Sequence, residues 1–117
     1  MSRPIAFGAI LLAASLTGCA LFSPWEAGAD PNGLTMKRRG AAVVLALEAY
    51  KRDNGRLPEH LFELLPKYLR QLPDGLAADY KPRDNSLAFT YQPVGRNFTT
   101  TCTIEIGRRV WDCADSL

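Results

Sequence analysis

From Thr35 to Asp53 the apolar residues recur at helical spacing. Met36, Val43, Leu47 and Tyr50 lie seven, four and three positions apart, with Val44 beside them. That period turns one stripe toward a core and predicts a helix over 35–53. Thr35 can cap its start, and Asn54-Gly55 supplies a left-handed stop. Ala41, Ala42, Leu45, Ala46 and Ala49 carry the apolar surface beyond that stripe. The helix is therefore covered on more than one side, or it presents a face to another surface.

A second stripe follows. Leu61, Leu64, Leu65, Tyr68 and Leu69 fit a short helix with Pro58 in its first turn. Pro66 breaks or tightens that helix and leaves 67–70 as a separate turn. Beyond the loop signals Pro73, Gly75, Pro82 and Asp84-Asn85, the period changes to two. Leu87, Phe89 and Tyr91 alternate along a strand over 87–92, and Tyr80-Lys81 forms a short strand before it, reversed by 83–86. Thr99 to Ile106 alternates again and ends at Gly107-Arg108, a pair that suits a two-residue type II′ turn. In that register Ile106 faces Arg109, Ile104 faces Trp111 and Cys102 faces Cys113, all on one side of the sheet. Such a turn would make the cysteines a hydrogen-bonded pair with Cα atoms about 5.5 Å apart; a bulge or a longer turn would change this. The order is helix, short helix, then an antiparallel meander of three or four strands. The fold class is α+β.

The N-terminus is patterned differently. Arg3 precedes an uncharged apolar run from Ile5 to Leu16, too short for a comfortable membrane span. The run ends in Leu16-Thr17-Gly18-Cys19, which resembles the bacterial lipobox. That resemblance implies removal of residues 1–18 and acylation of Cys19, an anchor in the lipid bilayer. Two or three acyl chains, at about 0.8 kcal/mol per buried CH₂, hold a protein stably. Ala20 after the cysteine, where Asp would retain the protein at the inner membrane, implies the periplasmic face of the outer membrane. Residues 19–34 hold Pro24, Gly28, Pro31 and Gly33 without a sustained period and read as a tether. The head domain is then 35–117.

Composition narrows the rest. The chain has 117 residues, a net charge of +2 and 22% charged residues, which fits one small domain with an appendage and gives no nucleic-acid footprint. Of three cysteines, lipidation takes Cys19 and leaves Cys102 and Cys113 as an even pair in an oxidising compartment. A metal site or a redox pair is the weaker reading, because no CxxC occurs and the lone His60 is distant in sequence.

One segment carries a family likeness. Glu48-Ala49-Tyr50-Lys51-Arg52-Asp53-Asn54-Gly55-Arg56-Leu57-Pro58, then Leu61, Leu64 and Pro66-Lys67-Tyr68-Leu69, resembles the signature of type IV pilins and type II secretion pseudopilins. It covers residues 41–70. The resemblance implies a pilin-like head, with Tyr50 over the helix end. The family's N-terminal peptidase site and long apolar helix, which packs filaments, are missing, and Cys19 stands in their place. A pilin-like head on a lipid anchor is the expectation, not a filament subunit.

Catalysis needs convergent groups. His60 sits beside Glu59 and Glu63 on an exposed face, while Asp112, Asp115 and Glu105 make no recognised pair, so no enzyme, cofactor or metal is expected. Two roles remain. One is a binding or assembly accessory with a protein partner in a secretion or pilus system, docking through Ala42, Leu45, Ala46 and Ala49. The other is a stand-alone envelope lipoprotein with a structural or inhibitory role.

Overall fold

The structure, a computed structural model, describes residues 25–76 and 78–116. Residues 1–18, expected to be a signal segment, and Cys19, the expected lipidation site, lie outside the described residues. One helix, α1 (Pro31–Asn54), packs on a four-stranded antiparallel sheet in the order β1 (Ala78–Lys81), β2 (Ser86–Tyr91), β3 (Thr100–Glu105) and β4 (Trp111–Asp115). The architecture is α+β.

The helix starts earlier than its apolar period indicates. Asp30-Pro31-Asn32-Gly33 has turn composition, yet Pro31 occupies the first helical turn, where its missing N–H costs nothing. Thr35 is no cap; its hydroxyl donates back to the Pro31 carbonyl at 3.1 Å. Gly33 is buried against Tyr91, and a Cβ there would meet the Tyr91 hydroxyl. Gly28 and Asp30 are buried as well, so the head begins inside the stretch read as a tether. The predicted stop holds: Gly55 sits at φ +78° and its N–H reaches the Lys51 carbonyl at 2.8 Å.

The expected second helix is a single 3₁₀ turn, Leu61–Leu64. Pro66 lacks the N–H that a continuing helix would use, and the chain turns instead, with the Tyr68 N–H on the Leu64 carbonyl at 2.9 Å. Leu64 is fully buried under α1, and Leu57, Leu61, Tyr68 and Leu69 pack around it. The ring of Tyr68 meets Tyr50 edge-on at 5.4 Å, and its hydroxyl donates to Asp53 at 3.0 Å. Tyr80 on β1 ties this segment to the sheet by donating to the Pro58 carbonyl at 2.6 Å.

In the sheet, Leu87, Phe89 and Tyr91 of β2 share one face as predicted, and that face is buried next to Thr100, Cys102 and Ile104 of β3. The β3–β4 register is also as predicted, with Ile104 opposite Trp111 and Cys102 opposite Cys113. The turn is not. Arg108 N–H bonds the Glu105 carbonyl at 3.0 Å, with Gly107 at φ +102° and Arg109 at φ +62°, so residues 106–110 form a longer loop. Ile106 faces Asn85 rather than Arg109: its N–H donates to the Asn85 carbonyl at 2.8 Å and its carbonyl accepts from Asn85 Nδ2 at 2.9 Å. The longer loop shifts the hydrogen-bond phase. Ser116 N–H donates to Thr99 O at 2.9 Å, which leaves Cys102 and Cys113 as a non-hydrogen-bonded pair. Their Cα atoms are 4.0 Å apart and a disulfide joins them.

Candidate partner-binding face

The sheet covers α1 along Met36, Gly40, Val43, Val44, Ala46 and Leu47, all buried. A 3.6-residue period with a broad buried arc leaves a narrow outer stripe. Of the four predicted docking residues, Ala42 and Leu45 are exposed, Leu45 by 52%. Ala49 is half-buried. Ala46 is not available: it is 5% exposed and belongs to the core cluster with Val43, Leu47, Leu64 and Leu87. It lies about 100° round the helix from Leu45, on the buried side.

The close approach of α1 to β4 depends on Gly40. A Cβ there would stand 2.8 Å from Cη2 of Trp111, so the indole lies directly on the helix backbone. Trp111 packs edge-on against Phe89 at 5.0 Å. Its half-buried ring forms the floor of a groove of about 210 Å³ between α1 and the sheet, lined by Ala41, Val44, Leu45, Ile104, Arg109 and Trp111. Val110, 69% exposed, follows Arg109 in the same 106–110 loop.

One ion pair spans α1 and the β3–β4 loop. Arg109, placed by its left-handed backbone, donates to Glu48 Oε1 at 2.8 Å. The hydrogen bond and charge of Glu48 raise the guanidinium pKa above its ordinary value. Glu48 Oε2 is buried with no hydrogen-bond partner among the described residues. Arg109 and Glu48 were not among the sequence candidates. The expected register set Arg109 in the strand opposite Ile106, whereas it stands in the 106–110 loop at φ +62°.

A larger cavity, about 610 Å³, lies at the other end of the head. Trp25, Asp30, Val94, Arg96, Phe98 and Asp115 line it. Asp30, 3% exposed, accepts from the Tyr91 hydroxyl at 2.5 Å and from the Val94 N–H at 3.1 Å. Burial alone would raise its pKa, but those hydrogen bonds, with the Asn32 amide, hold it below the ordinary carboxylate value. Tyr91 is shifted up by burial and by the Asp30 carboxylate. Asp115 accepts from the Thr100 hydroxyl at 2.5 Å. Both acids are thus committed to holding the fold.

The remaining titratable candidates lie apart. His60 is exposed, stacks on Phe62 at 5.2 Å and gives its backbone N–H to Glu63 at 2.8 Å. Glu105 and Asp112 are exposed on the sheet, and Glu105 pairs with Arg108 at 3.4 Å. Among the described residues no three His, Cys, Asp or Glu side chains gather as a metal site, and no helix is long and apolar enough to cross a membrane. The chain matches no protein-family model, no curated protein and no solved structure.

Proposed function

We propose that this chain is an outer-membrane lipoprotein, anchored through acylated Cys19, whose pilin-like head works without catalysis as a binding or assembly accessory of a secretion or pilus system. The lipobox-like Leu16-Thr17-Gly18-Cys19 supports the anchor, and the 48–69 signature supports the likeness of the head. The observation that carries the binding role is Leu45. A leucine half exposed beside a groove floored by Trp111 is an apolar side chain the head leaves uncovered. Ala41 and Ala42 extend that surface along the same helix.

The test is affinity capture from envelope membranes with crosslinking, comparing the unmodified chain with Leu45→Asp. The expected result is a specific protein partner captured by the first and lost from the second at unchanged melting temperature. Equal recovery from both, or no partner, would remove the docking role and leave a stand-alone envelope lipoprotein.

A further inference from the structure

The outer stripe of α1 has a charge layout that the docking role does not by itself explain. Leu45 stands in the middle, with Arg38 seven residues before it and Arg52 seven residues after. Seven residues are nearly two turns, so each arginine leaves the helix within about 20° of Leu45, and the two lie about 40° apart round the axis. Arg38 and Arg52 are exposed, and neither is in an ion pair among the described residues. The side chains between them are mostly small: Ala41, Ala42 and Ala49 flank Leu45. The carboxylates near the stripe are engaged elsewhere. Glu48 is neutralised by Arg109, and Asp53 accepts the Tyr68 hydroxyl. What remains is an apolar centre with an uncompensated cation at each end.

Three occupants could cover such a face, and its charges and side-chain sizes separate them. A second copy of the chain is disfavoured in either direction. Antiparallel packing sets Arg38 against Arg52 of the copy, and parallel packing sets each arginine against itself, so like charges meet both ways. An anionic bilayer would accept the arginines, but helices that lie in membranes bury bulky Trp, Phe and Leu side chains. Alanines offer little area to lipid. They do allow another helix to approach to about 8 Å, the close end of helix packing distances.

Resting on the reading of this face as the docking surface, we infer that its occupant is an amphipathic partner helix with a small apolar centre and acidic residues at both ends. The acids lie about 21 Å apart along it, matching the rise from Arg38 to Arg52 at ~1.5 Å per residue. The pairing sets register as well as affinity, because a partner displaced by one turn loses both ion pairs. Rim charges of this kind act mainly on encounter and specificity.

The probe is a set of three synthetic helical peptides sharing one Ala/Leu face. They carry Glu, Gln or Lys at the two flanking positions. Binding to the full acylated protein in phosphatidylcholine vesicles is read by fluorescence polarisation. The Glu peptide should bind tightest, with an affinity that falls as salt rises. The double variant R38E/R52E, its fold checked by circular dichroism, should lose the Glu peptide by about tenfold and gain the Lys peptide, because both rim pairs change sign.

Equal binding of the three peptides, or no binding of any, would overturn the inference. Clustering of added phosphatidylglycerol vesicles through Arg38 and Arg52 would make the occupant a membrane, and a dimer abolished by Leu45→Asp would make it a second copy. Either result overturns it too. Native partner capture that is lost in Leu45→Asp yet untouched in R38E/R52E would keep the docking face and remove the acidic helix. Capture untouched in both would remove the two together.

Discussion

The Tyr91 hydroxyl donates a 2.5 Å hydrogen bond to the carboxylate of Asp30, joining the residue that precedes α1 to the last residue of β2. The second Asp30 oxygen takes the Val94 N–H at 3.1 Å. Two connections, sixty-one and sixty-four residues away in sequence, thus meet on one buried side chain.

Asp30 makes the fold sensitive to acid. Its folded pKa lies below the ordinary 3.8, so its contribution is fully present above that value and is lost as pH falls through the folded pKa. Asp30→Asn should lower stability at neutral pH by about 1.5–3 kcal/mol, the usual range for hydrogen bonds to a charged group. It should also flatten the acid limb of stability below about pH 4. Urea unfolding from neutral to acidic pH measures both; an unchanged acid limb would assign the loss to other carboxylates.

The Cys102–Cys113 disulfide closes a loop of sequence separation 11. Its reduction should cost about 3 kcal/mol in the chain-entropy account and lower the melting temperature without abolishing the fold. Thermal unfolding with and without reductant gives the shift. Mass spectrometry finding both thiols free in periplasmic material would contradict the pairing.

Gly40→Val should destabilise the head by about 2 kcal/mol or more, because its branched side chain enters the space held by Trp111. Indole fluorescence should change at the same time, since Trp111 has to leave Phe89.

The two sides of α1 should answer an added charge in opposite ways. Leu45→Asp, on the outer stripe, is expected to stay within about 0.5 kcal/mol of the parent. Ala46→Asp, its neighbour in sequence, puts an unpaired carboxylate into the core and should cost several kcal/mol or prevent folding. Melting curves of the pair decide it.

For the lipid anchor, Cys19→Ala or globomycin treatment should block maturation and move the protein out of the membrane fraction. Membrane fractionation with metabolic palmitate labelling reads this, and unchanged labelling of the variant would reject acylation at Cys19.

The strands and the cysteine register were legible because period two is strict, and one slip would have turned Ile104, Trp111 and both cysteines outward. The stop at Gly55 was legible for a similar reason, since a left-handed residue has few alternatives to glycine. The start of α1 was hidden because Pro and Gly have two meanings. Pro31 begins a helix as readily as it makes a turn, and Gly33 is there for the approach of Tyr91, not for flexibility. The second helix failed because a leucine stripe records burial, whereas Pro66 limits backbone geometry. Ala46 was misplaced among the docking residues because alanine fits either side of a helix. Nothing in the sequence pairs Glu48 with Arg109, since the two are sixty-one residues apart and no local pattern joins them.

The Asp30 junction also fixes how the head meets mechanical load. Tension from the N-terminal side reaches Gly28 and Asp30 before it reaches any turn of α1. Gly28 lies against Cys113, where a Cβ would collide with the sulfur, and Asp30 grips β2 through Tyr91 and the loop beyond it through Val94. A pull is therefore delivered sideways into the covalently closed β3–β4 hairpin and its neighbour, not along the helix axis. The first turn of the helix is therefore shielded by that grip from a pull on its N-terminal side.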